Sequence, residues 1–263
     1  RLVLRPTVAG LLRDPVAGPT ALGPLLRLRE GAGPPLWCVH PGSGLGWSYT
    51  GLLPYVPREH PVFALQARGL DGTGGLAESY DALVADYLRQ ITGAQPEGPY
   101  LLTGWSFGGT VAHSLAVRLR GLGHRVGLLA AIDSWPVGAV RGEPAAGGAP
   151  DVHAIARDGG PVDRAEAVGA GERVLHVTRN LIRLMDETTA PAGVFDGPLL
   201  VFGSPEGNAA PGLAHRWRPH IGGDITVVPV PFAHLRLMDP TALTVIGPTL
   251  ATALRPPGVV PPA

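Results

Sequence analysis

Short apolar runs alternate with amphipathic stretches along this chain. The runs lie at 35–40, 62–66, 100–103, 126–132, 198–202 and 225–229, each bounded by glycine, proline or polar residues. Runs of this length and flanking chemistry predict strands. Between several of them apolar residues recur at helical spacing. In 78–92 they are Leu83, Val84, Tyr87, Leu88 and Ile91, and 110–122 and 241–254 repeat the pattern. Asp239-Pro240 supplies an N-cap and a first-turn proline for the last of these. Strand alternating with helix predicts an α/β fold, with a mostly parallel central sheet and helices on both faces.

Three segments depart from the rhythm. Residues 1–30 read as a connector: a short apolar patch, then prolines and glycines, then Leu25-Leu26-Arg27-Leu28. Residues 137–192 begin Gly/Pro/Ala-rich and continue with weakly amphipathic pieces at 152–156 and 174–185. So long an excursion between core strands predicts an inserted lid. The tail 255–263 is proline-rich and reads as disordered. The main domain is thus expected over 31–254, without internal repeats.

Composition narrows the function classes. The chain has 263 residues, 45% of them apolar, enough for a sizeable core. Its 21 basic and 21 acidic residues cancel, and no basic block occurs, which argues against nucleic acid as a partner. Cys38 is the single cysteine, so no intrachain disulfide forms and a reducing, cytoplasmic setting is expected. Its place in Leu36-Trp37-Cys38-Val39 marks it as a buried small hydrophobe. No apolar run is long enough to span a bilayer, and no signal-peptide layout opens the chain. The chain starts at Arg1 and reads as a piece of something longer. No metal-ligand spacing, phosphate loop or cofactor fingerprint is found.

The chemistry concentrates in Gly104-Trp105-Ser106-Phe107-Gly108-Gly109, a Gly-x-Ser-x-Gly pattern between a strand and a helix. That context is a nucleophile elbow, a tight turn that lifts a serine hydroxyl out of the sheet. Glycines flank it because side chains there would collide with strand and helix. A serine hydroxyl needs a base, and the base needs an orienting group. In elbow enzymes the base comes late in the chain, which leaves His176, His215, His220 and His234. His234 follows a strand-like run, in a loop at the carboxyl edge of the sheet where ligands bind, and is the base expected. His215 and His220 read as surface residues, His40 as a loop residue, and His113 points along its helix away from the reaction. Two acids compete by position, Asp133 at the end of one strand and Glu206 after a later one, while Asp186 and Asp196 read as surface groups. A tetrahedral oxyanion needs preorganised donors. The N–H of Phe107 should be one, and the loop His40-Pro41-Gly42-Ser43-Gly44 the source of the other, Gly42 first and Ser43 second.

Together these motifs resemble the C-terminal thioesterase domains of nonribosomal peptide and polyketide synthases, members of the α/β-hydrolase superfamily. The resemblance rests on 35–44, 98–109, the segment around Asp133 and that around His234, and covers about 25–254. It implies Ser106, Asp133 and His234 as triad, since the family's acid usually follows the strand after the serine helix. It implies no bound cofactor; the substrate arrives as a thioester on the phosphopantetheine of an upstream peptidyl carrier protein, and release is by hydrolysis or macrocyclisation. Residues 1–14 look like the last helix of such a carrier, which makes 1–30 a carrier remnant and linker. The excised domain is expected to be monomeric. The Trp-Ser-Phe elbow differs from the His-Ser-Met form of freestanding editing thioesterases, and His-Pro-Gly-Ser-Gly departs from the commoner His-Pro-Ala-Gly-Gly.

Overall fold

The computed structural model describes residues 21–138, 164–188, 192–205 and 210–255. Seven strands form one sheet: β1 (Leu25–Arg29), β2 (Leu36–Val39), β3 (Val62–Leu65), β4 (Tyr100–Trp105), β5 (Val126–Ile132), β6 (Leu199–Gly203) and β7 (Ile225–Pro229). Their order is β1-β3-β2-β4-β5-β6-β7, and every neighbouring pair except β1·β3 is parallel. The described helices are α1 (Tyr80–Ala94), α2 (Phe107–Gly121), α3 (Arg164–Glu187), α4 (Ala210–Trp217) and α5 (Pro240–Leu254).

The six strands expected from the apolar runs are β2 to β7. The seventh corrects the reading of residues 21–30 as connector. Leu25–Arg29 pairs antiparallel with β3 along the sheet edge. In this edge strand Arg27 is exposed and Arg29 half-buried, and the two interrupt the apolar pattern that marks the inner strands. Arg29 also locks this edge, donating to the carbonyls of Leu53, Val56, Pro57 and His60 at 2.6–2.9 Å.

Strand alternation divides β2 between two cores. Trp37 and Val39 face α1 and α2; Leu36 and Cys38 face α5 and the 3-10 helix Gly46–Leu52. Cys38 is fully buried, and burial pushes its thiol pKa up.

Helix α3 lies within the expected lid. Its Val174, Val177, Leu181 and Leu184 are buried in the core shared with α1 and α2. Arg173 and Asn180 donate from the same helix to the carbonyls of Leu70 and Ala77. Residues 173–184 of the excursion thus pack on the core. The remainder of the expected lid, the carrier-like start, Glu206 and the tail beyond Arg255 lie outside the described residues.

Candidate active site

Ser106, Asp133 and His234 stand at the carboxyl edge of the sheet. Ser106 sits between the end of β4 and the start of α2, with φ 56° and ψ −126°. A non-glycine residue there carries strain on the order of 1–3 kcal/mol, which its surroundings must hold in place. They do so by leaving no room. A Cβ on Gly104 would overlap the backbone of Gly108, and one on Gly108 the carbonyl of Val39. The Ser106 N–H donates to Ile132 O at 2.9 Å, and the Ser134 hydroxyl donates to Ser106 O.

Asp133 follows β5 in the left-handed region, φ 45°, with its N–H on Phe202 O at 2.7 Å. That bend turns the carboxylate along the sheet edge toward β6 and β7. Ser204 meets it there with its N–H on Oδ1 at 3.0 Å and its hydroxyl on Oδ2 at 2.7 Å. His234 opens a short 3-10 turn after β7. Its Nδ1 lies 2.6 Å from Asp133 Oδ2, and its Nε2 lies 3.0 Å from Ser106 Oγ.

This geometry fixes the hydrogens. With Asp133 ionised and the imidazole neutral, Nδ1 carries the N–H and Nε2 is left to accept from the serine. Asp133 is 1% exposed and His234 has 21% of its side chain exposed. The carboxylate is dry, while the imidazole is partly exposed. The rings of Trp105 and Trp135 flank the imidazole, with centroids 5.6 and 6.4 Å from it. The carbonyl of Trp135 is held by the Thr110 hydroxyl at 2.7 Å.

Phe107 is the first residue of α2, where N–H groups have no intrahelical partner and the helix dipole favours negative charge. Opposite it, residues 41–44 form a turn closed by Gly44 N–H on Pro41 O at 2.9 Å. A Cβ built on Gly42 would meet nothing within 4 Å, so the loop borders open space at Gly42. Ser43 is largely buried. Phe107, Gly42 and Ser43 thus remain the oxyanion donors expected.

None of the other histidines weighed above joins the Ser106–His234–Asp133 series. His176 and His215 are exposed and His220 half-buried. His113 is buried with Nε2 on the carbonyl of His220, and burial lowers its pKa to about 4. His40 is fully buried, hydrogen-bonded to Tyr87, and lowered to about 4 for the same reason. Asp196 is exposed and paired with Arg120. Among the described residues no group of three or more His, Cys, Asp or Glu could hold a metal ion, and no helix is long and apolar enough to cross a membrane.

Sequence reasoning missed Ser204, Trp135 and the hydroxyl of Tyr49, which accepts the Trp105 N–H at 2.8 Å. Ser204 could have been found, because it directly follows the apolar run of β6 at the same sheet edge.

Residues 34–248 match the family described as Thioesterase domain. The malpibaldin synthetase of Mortierella alpina is 38% identical over 233 residues, which span 86% of this chain and 4% of that protein. A dimodular nonribosomal peptide synthase of Bacillus subtilis (strain 168) is 34% identical over 281 residues, 95% of this chain and 12% of that protein. This chain is thus similar to a small part of each relative. Among solved structures, the NocB thioesterase domain from the nocardicin cluster superposes with a TM-score of 0.70 at 25% identity, covering 88% of this chain and 98% of that one. The thioesterase domain that cyclises surfactin shares the fold, with a TM-score of 0.67 at 20% identity over 91% of this chain and 99% of that one. The α/β-hydrolase architecture, the serine at its elbow and the family match converge, and the chain belongs to the thioesterase domain family.

Proposed function

We propose that this domain releases a peptidyl or polyketide chain from the phosphopantetheine arm of an upstream carrier protein, through an ester on Ser106. The reading is carried by one observation: the hydrogen-bonded series Ser106–His234–Asp133 on a strained elbow. Ser106 Oγ attacks the thioester carbonyl while its proton passes to His234 Nε2. The C–S bond breaks, the thiolate takes that proton and leaves as a thiol. Water, or an amine or hydroxyl within the chain, then attacks the ester with His234 again as base. A free acid or a ring leaves, and the serine recovers its proton. Both tetrahedral states place negative charge where the amides of Phe107 and of Gly42 or Ser43 would meet it, each donor contributing roughly 3 kcal/mol. Asp133 stays ionised and steadies the imidazolium.

The nonribosomal synthetases among the relatives support a carrier-bound substrate. On this reading residues 1–20 join the domain to its carrier, and the setting is cytoplasmic. The test is intact-protein mass spectrometry after exposure to a peptidyl thioester of pantetheine. Wild type should gain the mass of the acyl group and Ser106→Ala should not. An adduct of that mass persisting in Ser106→Ala would refute the nucleophile.

A further inference from the structure

An oxyanion hole of this type is assembled from two separate chain segments. One amide belongs to the elbow after β4, the other to the loop after β2. Catalysis needs both amides aimed at one point, so something must register the loop against the elbow. The β2·β4 ladder cannot, because its last pair is Val39 with Gly104. Beyond that pair the strands part, and the backbone of Gly108 is pressed against the carbonyls of Val39 and His40.

We propose that two buried tyrosine hydroxyls, those of Tyr49 and Tyr87, are positioning groups that hold the two halves of the oxyanion hole in register. Tyr49 bridges the gap where the ladder stops. Its O–H donates to Val39 O at 2.5 Å and its oxygen accepts the N–H of Trp105 at 2.8 Å. These are the last residues of β2 and β4, so one atom ties the root of the loop to the root of the elbow. Tyr87 acts on the loop itself. His40 Nδ1 faces Pro41 O at 2.7 Å, and a carbonyl only accepts, so Nδ1 carries the hydrogen. Nε2 is then bare and accepts from the Tyr87 O–H at 2.5 Å. The same Pro41 carbonyl accepts the N–H of Gly44. Tyr87 therefore orients His40, His40 holds Pro41 O, and Pro41 O closes the turn that presents Gly42 and Ser43.

The surroundings suit a rigid device. Tyr49, Tyr87 and His40 are buried. His40 stacks on Phe107, the residue carrying the other amide, with centroids 6.0 Å apart. Burial also keeps the imidazole neutral across the working pH range. Neither tyrosine touches a reacting atom, and neither figures in the triad.

This inference rests on the acyl-enzyme reading above. Its test uses Tyr49→Phe, Tyr87→Phe and the double variant, with a soluble acyl thioester as substrate. Two inhibitors are compared: a boronic acid that forms a tetrahedral adduct on the serine, and an uncleavable amide analogue of the substrate. Displacing an amide by a fraction of an ångström should slow turnover about tenfold. Each single variant should lose about that factor in kcat and in boronate affinity, with KM and amide affinity within about twofold. The result that overturns the proposal is unchanged kcat and boronate affinity in folded protein, whatever the fall in unfolding midpoint. A parallel loss of boronate and amide affinity would overturn it too, since that reports general disruption. Should Tyr49→Phe not fold, Tyr87→Phe and His40→Phe carry the same comparison, the latter keeping a ring on Phe107 while removing both nitrogens. Failure of the acyl-enzyme reading would show separately, as turnover persisting in Ser106→Ala.

Discussion

Replacing Asp133 by asparagine changes one atom and should remove most of the activity, because Ser204 dictates how the new amide must sit. In the native site Oδ2 accepts from His234 Nδ1 at 2.6 Å, and Oδ1 accepts from the Ser204 backbone N–H at 3.0 Å. The substituted amide can keep its oxygen toward the histidine only by turning its NH2 onto that backbone N–H. Two donors would then face each other in a dry site, with a penalty of about 1–3 kcal/mol. The opposite orientation satisfies the backbone N–H and lets the Ser204 hydroxyl, 2.7 Å from Oδ2, accept instead of donate. It also places an NH2 against Nδ1. The imidazole must then carry its hydrogen on Nε2, where it donates to Ser106 and cannot take the serine proton. The favoured state of the variant is the wrong tautomer. The known loss for a triad acid changed to its amide is about 10⁴-fold, or about 5 kcal/mol of barrier. Steady-state kcat on a pantetheine thioester, with the rate of serine labelling by a fluorophosphonate, measures it. A variant within tenfold of wild type in both assays would refute this account of the carboxylate. A matching collapse in Glu206→Gln, with Asp133→Asn active, would move the acid to Glu206.

Further outcomes follow from other contacts. Gly108→Ala forces a methyl into the Val39 carbonyl and should abolish serine labelling and lower stability by about 1–3 kcal/mol; a labelled, stable variant would show that the elbow can shift. Leu181→Ala opens a cavity under α3 and should lower unfolding stability by about 2–5 kcal/mol, read by denaturant titration; no change would mean that the helix does not pack on the core in solution. His40 and His113 are both lowered from 6.5 to about 4 by burial. The unfolded chain binds their protons first, so their contribution is intact above pH 6.5 and drains away as pH falls toward 4, on the order of a few kcal/mol. His113→Phe should therefore lose less melting temperature than wild type between pH 7 and 5; equal slopes would show that His113 does not contribute.

The inner strands were legible because each is buried on both faces, which leaves continuous apolar runs such as 126–132. The elbow was legible because its glycines answer to collisions with fixed backbone. The edge strand was not, since an exposed Arg27 and an Arg29 spent on loop carbonyls break the apolar run. Pattern could not choose between Asp133 and Glu206 either, because both follow strands that end at one edge. The bend at Asp133 and the pair of donors from Ser204 come from three-dimensional neighbours 71 residues apart. The Tyr49 and Tyr87 hydroxyls were invisible for a related reason: each sits on an apolar face where the ring alone explains the residue.

The chain's one sulfhydryl sits sealed inside β2, its ionisation suppressed by burial. If, as proposed above, acyl groups are handed over as pantetheine thioesters, they will exchange onto any accessible thiolate. Here none is offered, so cargo cannot be diverted to a second sulfur and stranded off pathway. A chromogenic disulfide reagent added to the native protein will accordingly stay colourless until substrate arrives, and every equivalent of colour will then report one pantetheine set free.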